Sequence, residues 1–264
     1  MIQNSTSFIL ATSLLIALFM LSGCSDDSPT GVDEGEPPTI PEASPVEVDN
    51  SLFENNNPTG EEHQTFNEAG ALASGADANL MGATSMGQSF LAFTAGQNAE
   101  FEDGLWVWTF SFTDEGESIS LRTTAEELAR GVEWNVYISG PFDGEESLSE
   151  FRYLSGYVSD DGLSGNWQYF FPEEPDQPSV EYQWDTVSET EFTFSSIINL
   201  PEQDGELRID YSRDNDDNNL EYSGYDFNQD AVIYWNSATG EGFLDREGQD
   251  RQCWDSNYAE TECS

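Results

Sequence analysis

Leu105-Trp106-Val107-Trp108-Thr109-Phe110-Ser111-Phe112 is the stretch that decides the fold of this chain. Large rings stand at 106, 108, 110 and 112, with smaller or polar residues between them. A period of two puts all four rings on one face of an extended strand and turns the other face to water. The alternation recurs downstream. Val132, Trp134, Val136 and Ile138 alternate with Glu133, Asn135 and Tyr137. Val180, Tyr182 and Trp184 come next, then Phe192 and Phe194, then Leu207, Ile209 and Tyr211. Leu220 and Tyr222, Val232 to Trp235, and Gly242 to Leu244 complete the series. About ten strands are expected on this pattern. The connections, such as Asp160-Asp161-Gly162, are too short for crossover helices, so neighbouring strands must run antiparallel. The expected fold is mainly β. It is an antiparallel meander over 105–264, curled as a half-barrel or barrel, or folded over as a sandwich.

Residues 63–104 are rich in Ala and Gly and read as one or two short helices packed against that sheet. The better helical piece runs from Thr84 to Ala95, with Met86, Phe90, Leu91 and Phe93 on one broad side; Gly82 and Gly87 weaken it. Residues 63–264 are expected to form one folded unit. Residues 24–62 read as a disordered acidic tether, with Glu36-Pro37-Pro38-Thr39-Ile40-Pro41 and Asn55-Asn56-Asn57-Pro58 as its most characteristic pieces. That composition buries too little apolar surface to offset the entropy of ordering, and like charge and proline extend it. His63, in Glu61-Glu62-His63, is expected to be a solvated residue at the end of the tether.

Ahead of the tether, Phe8 to Leu21 is an uncharged apolar run. It falls short of the ~20 residues of a membrane-spanning helix and suits the hydrophobic region of a signal peptide over 1–23. It ends in Leu21-Ser22-Gly23-Cys24, which resembles the lipobox of bacterial lipoproteins. The resemblance implies cleavage between Gly23 and Cys24, acyl chains on Cys24, and a membrane partner held through those chains. Each buried methylene contributes ~0.8 kcal/mol to such an anchor. Residues 1–7 carry no Lys or Arg, a departure from the usual leader of that family. Ser25-Asp26-Asp27 has no Asp next to the cysteine, so the implied address is the outer membrane, on its periplasmic or outer surface.

Charge narrows the chemistry. The chain holds 52 Asp and Glu against seven basic residues, for a net charge of −45, and all seven are Arg. Such a surface repels itself in dilute buffer, while at molar salt the Debye length falls to ~3 Å. A salt-adapted, halophile-type protein is expected. With no basic patch to displace counterions, nucleic acid is not an expected partner. The lack of Lys removes the phosphate-loop lysine, the Schiff base and the Ser-Lys pair. A single histidine makes a Ser-His-Asp triad or a multi-histidine zinc site hard to build. The reading is therefore non-enzymatic and monomeric. With Cys24 acylated, Cys253 and Cys263 remain, and in an exported chain they are expected to pair.

Three candidate sites stand out. The rings of Trp106, Trp108, Trp134, Trp167, Trp184 and Trp235 should share one interior. That interior is either a packed core or, in a half-barrel with an open mouth, a pocket for a lipid or other hydrophobic ligand. In layout the chain is similar to periplasmic lipoprotein-carrier and lipid-binding half-barrels, without their signature residues. Exposed Trp or Tyr would instead suit a surface carbohydrate binder, and facing carboxylates a glycosidase; acids recur here at every spacing, so no pair is nominated. Lastly, Asp214, Asp216 and Asn218 match the first three ligand positions of a calcium loop. Asn219 stands where that loop needs Gly and Tyr225 where it needs Glu, so a solvated hairpin turn is the plainer reading. No other cofactor is expected.

Overall fold

The computed structural model describes residues 35–39, 47–94, 97–114, 116–141, 147–199, 205–224 and 230–263, excepting the side chains at 83, 84, 86, 88, 90 and 114. The signal segment and the lipobox through Cys24 lie outside the described residues, as do the Met86 and Phe90 side chains. The chain divides into two compact units, Met1–Gly35 and Glu36–Ser264; the second carries the sheet.

Fourteen strands are described, and they form one antiparallel meander in which each pairs with the next. They are β1 (Glu100–Glu102), β2 (Leu105–Asp114), β3 (Glu117–Leu128), β4 (Gly131–Gly140), β5 (Leu148–Ser159), β6 (Ser164–Phe170) and β7 (Pro178–Ser188). Then come β8 (Glu191–Ile198), β9 (Leu207–Asp214), β10 (Asp217–Gly224), β11 (Ala231–Asn236), β12 (Gly242–Arg246), β13 (Gln252–Trp254) and β14 (Glu260–Thr261). The sheet is open, with β1 and β14 at its edges. The count exceeds the expected ten or so because β1, β13 and β14 are too short to show a period.

The alternation sorts side chains as expected. All six of the singled-out tryptophans are buried in one hydrophobic cluster. Bulky rings crowd a sheet face unless something beside them is small. Here Gly156 lies opposite Trp134 on β4 and Trp167 on β6. Gly242 likewise lies between Trp235 and Trp254. The Trp167 ring lies so flat on Gly156 that a Cβ there would sit 2.1 Å from Cε3. Glycine thus acts as the floor under an indole, a known way of supporting glycine in a sheet. At Tyr153-Leu154 the strict alternation breaks. A bulge between β4 and β5 lets both residues face the core.

Two helices precede the sheet, α1 (Ser51–Glu54) and α2 (Gln64–Ala92). The second is one continuous 29-residue helix, longer than the short pieces expected. Its glycines lower intrinsic propensity, yet packing against the sheet holds it. Ala69, Ala73, Ala76, Leu80 and Leu91 lie on one side and are buried. Contacts run in order along it. The Phe66 ring meets Trp254 on β13 edge-on at 5.8 Å, and the Leu72 carbonyl accepts a 2.7 Å bond from Tyr222 on β10. Gly87 lies under the Tyr169 hydroxyl on β6, and just past the helix Phe93 stacks on Phe110 of β2. From Phe66 to Phe93 the helical rise is about 40 Å. A flat sheet would set β2 and β13 about 53 Å apart. The sheet therefore curls around the helix that crosses its strands.

The segment expected to be disordered through residue 62 enters the fold earlier. Val48, Asn50, Leu52 and Phe53 are buried, because Leu52-Phe53 supplies an apolar pair that seats against α2 and Trp235. His63 is also not a solvated residue. It sits in a short 3-10 turn, Glu61–His63, and its Nδ1 lies 2.9 Å from the Tyr258 carbonyl. The C-terminal strands fold back beside the start of α2 and cover it. The Cys253–Cys263 disulfide is formed, with Cα atoms 5.3 Å apart.

Candidate functional site

With one face of the sheet given to rings and to α2, the other face is where side chains meet solvent. Its composition follows from register. One outward residue per strand makes a continuous row from β7 to β12: Asp185, Thr193, Ser212, Asn219, Tyr234 and Phe243. A second row beside it runs Gln183, Ser195, Asp210, Glu221, Val232 and Asp245. In the first row β8 and β9 carry the short Thr193 and Ser212, and in the second β8 carries Ser195, with longer side chains to either side. A hollow results. One part measures about 450 Å³ and is lined by Asp185, Thr193, Ser212, Asp214, Asp217, Asn219 and Tyr234, among others. The adjoining part, about 360 Å³, adds Gln183, Ser195, Asp210 and Glu221.

One wall of the hollow is an aromatic ledge. Tyr234 and Phe243 stack with centroids 5.5 Å apart at 22°. The Arg251 guanidinium lies 4.0 Å over the Phe243 ring and bonds Asp245 at 2.9 Å. The Cys253–Cys263 disulfide backs the ledge, since Cys253 pairs with Phe243 across strands. Tyr234 is oriented by its hydroxyl, which donates to Asp217; Asn236 donates to the same carboxylate at 2.8 Å. These two bonds hold the Asp217 carboxyl below the usual carboxylate range. In turn the bond to Asp217, with some burial, pushes the Tyr234 phenol up to about 12. The pair is thus a fixed acceptor and a fixed neutral donor over the whole physiological range.

Asp214, Asp216 and Asn218 are not brought together. Asp214 and Asp217 pair across a two-residue hairpin turn in which Asn215 adopts a positive φ of 55°. Asp214 lies outward, whereas Asn218 is fully buried on the inner face. There its amide oxygen accepts from Tyr211 at 2.6 Å and its nitrogen donates to Ser237 at 3.0 Å. Among the described residues no three His, Cys, Asp or Glu side chains converge as metal ligands. The tryptophans form a packed interior crossed by α2. Among the described residues no helix is long and apolar enough to cross a membrane.

Sequence reading did not single out Thr193, Ser212, Tyr234 or Phe243. Period two assigns each to the outer face, but only strand register lines them up into a row. No protein-family model, no curated protein and no solved structure matches this chain.

Proposed function

We propose that this chain is a non-enzymatic, lipid-anchored binding module of the bacterial cell envelope, and that it takes a neutral glycan on its outer sheet face. The observation that carries this is the hollow over β7–β11 bounded by Tyr234, which Phe243 backs from β12. A sugar ring offers an apolar C–H face, which suits a flat aromatic ledge, and a rim of hydroxyl donors. Carboxylates are pure acceptors, and Asp185, Asp214 and Asp217 line the floor. Binding rather than hydrolysis is favoured at Asp217. A general acid needs a raised pKa, and this carboxyl is moved the other way. The alternative of a hydrophobic-ligand carrier is less favoured, since α2 occupies the ring-bearing face that such a ligand would need. Acylated Cys24 and the chain that follows it would hold the module at the membrane.

The test is calorimetry of the folded full chain, extracted in detergent and kept in molar salt, against a panel of neutral oligosaccharides. Binding that weakens about tenfold or more in Tyr234→Ala and Phe243→Ala is expected, in line with aromatic anchors elsewhere. A folded protein that binds none of them and instead co-purifies a stoichiometric lipid would replace this reading with the carrier. Mass spectrometry of the mature N-terminus checks the anchor: acyl chains on Cys24 are expected, and their loss in Cys24→Ser.

A further inference from the structure

The seven arginines divide by place. Arg208, Arg213, Arg246 and Arg251, on the β9–β13 side, each reach a carboxylate: Asp210, Asp49, Glu68 and Asp245 in turn. Arg122 on β3, Arg130 in the β3–β4 turn and Arg152 on β5 reach none within 4.0 Å among the described residues. In a chain with 52 acids that separation needs a cause. It lies in the neighbours. Arg122 faces the same side as Thr109 on β2 and Tyr137 on β4, its direct cross-strand partners. Ser120 on its own strand and Asn135 and Ser139 on β4 share that face. All are neutral. The nearest acids on that face of β3 and β4, Glu126 and Glu133, lie four residues along, or about 13 Å; on β5 the exposed Glu150 stands two residues from Arg152, its amide donating to Ser139 at 2.9 Å, and makes no ion pair with it among the described residues.

The guanidinia of Arg122 and Arg152 are held by rings instead. Arg122 lies 5.6 Å over Tyr137. Arg152, which pairs with Tyr137 from the other side, lies 4.3 Å over Phe170. A ring contact leaves the five N–H donors of a guanidinium, and neither side chain has a carboxylate within 4.0 Å among the described residues. The result is a row Arg122–Tyr137–Arg152, one residue per strand. The two backbones that carry the cations stand two strand spacings apart, about 10 Å, with Tyr137 between them and Ser139 and Glu150 beside them.

We propose that this strip binds an acidic glycan, each arginine taking one carboxylate and Tyr137 taking the sugar ring between them. Charge complementarity selects the ligand. A dense polyanion such as nucleic acid would extend past the strip onto the acidic remainder of the sheet and be repelled. A chain in which carboxylates alternate with neutral rings meets cation, ring and cation in turn. The strip lies on strands that the β7–β11 hollow does not use, so the two sites stand or fall separately.

The probe is a hyaluronan oligosaccharide, in which each uronate alternates with a neutral N-acetylhexosamine, titrated into the folded full chain by calorimetry beside its fully methyl-esterified form. Expected are binding of the acid, no binding of the ester, and a loss of about tenfold or more in Arg122→Gln, as for a lost charge-assisted bond. Arg152→Lys keeps the charge but not the planar fork, and falls between. Tyr234→Ala, in the hollow, leaves this affinity unchanged. Circular dichroism and thermal unfolding verify that each variant is folded. The proposal is overturned if the folded wild type ignores the acid, if the ester binds equally, or if Arg122→Gln binds like wild type. It is also overturned if vesicles of phosphatidylglycerol bind through Arg122 while the free oligosaccharide does not, which would make the strip a lipid-headgroup contact.

Discussion

At Gly156 a hydrogen atom stands where any other residue would place a carbon, and the Trp167 ring occupies that space. An added Cβ would meet Cε3 at 2.1 Å and the Asn166 carbonyl at 2.4 Å. The second contact is backbone and cannot move aside cheaply. Gly156→Ala should therefore destabilise the fold by about 1–3 kcal/mol, the usual cost of overpacking. Gly82, in α2, has nothing within 4 Å of its would-be Cβ. There the same change should stabilise by about 0.5–1 kcal/mol, since alanine is the better helix former. Denaturant unfolding of both variants in molar salt compares them, and equal effects would refute the account. The glycine at 156 is plain in the sequence, but its reason is not, because its neighbour on the adjacent strand is set by register, which no local pattern states.

The segment carrying Asp49 is tied to the sheet by a polar cluster at one end of the core. Its carboxylate accepts from Ser51 and Ser237 and pairs with Arg213 at 3.4 Å. The Asp49 carbonyl accepts from the Trp235 indole at 3.0 Å, and its amide donates to the Tyr211 hydroxyl at 3.0 Å. Burial alone would raise the Asp49 pKa; the bonds from Ser51 and Ser237 and the Arg213 charge outweigh it and hold it below 3.8. A carboxyl depressed in the folded state stabilises above its unfolded pKa and loses that contribution as pH falls through the folded value. Asp49→Asn should thus cost about 1–2 kcal/mol at neutral pH. The gap from wild type should close below about pH 4. A gap that stayed constant from neutral to acid pH would show that the carboxylate charge plays no part. This cluster was hidden from sequence reading because Asp49 lies in a Pro- and acid-rich stretch with the composition of a tether. Strands β2, β4 and β7 to β12 were legible from their period of two, whereas the bulge at Tyr153-Leu154 interrupts it in β5. Helix α2 was only half legible: its glycines argue against a long helix, and the Tyr222 and Tyr169 rings whose hydroxyls lie over Gly75 and Gly87 stand far downstream.

Over the whole molecule, charge sets the conditions under which this architecture holds. Salt bridges at the surface contribute little, about 0–1 kcal/mol each, and only four arginines make them with carboxylates among the described residues. Against them stands the mutual repulsion behind a net charge of −45. Screening weakens both, and the repulsion is the larger. We expect the unfolding midpoint to rise steeply between salt-free buffer and molar sodium chloride. A midpoint that does not move with salt would remove the halophilic reading while leaving the fold untouched.

The course of α2 also sets an order of events. A nascent chain appears from its N-terminus, so this helix is made before any strand, while the ring that seals its first turn is Trp254. Neighbouring strands can zip one by one as they emerge, each pairing with the last, because all their partners are local. The helix cannot be sealed until β13 brings Trp254 to it, and a chain interrupted before that strand keeps its oldest element exposed to the quality-control machinery of its compartment.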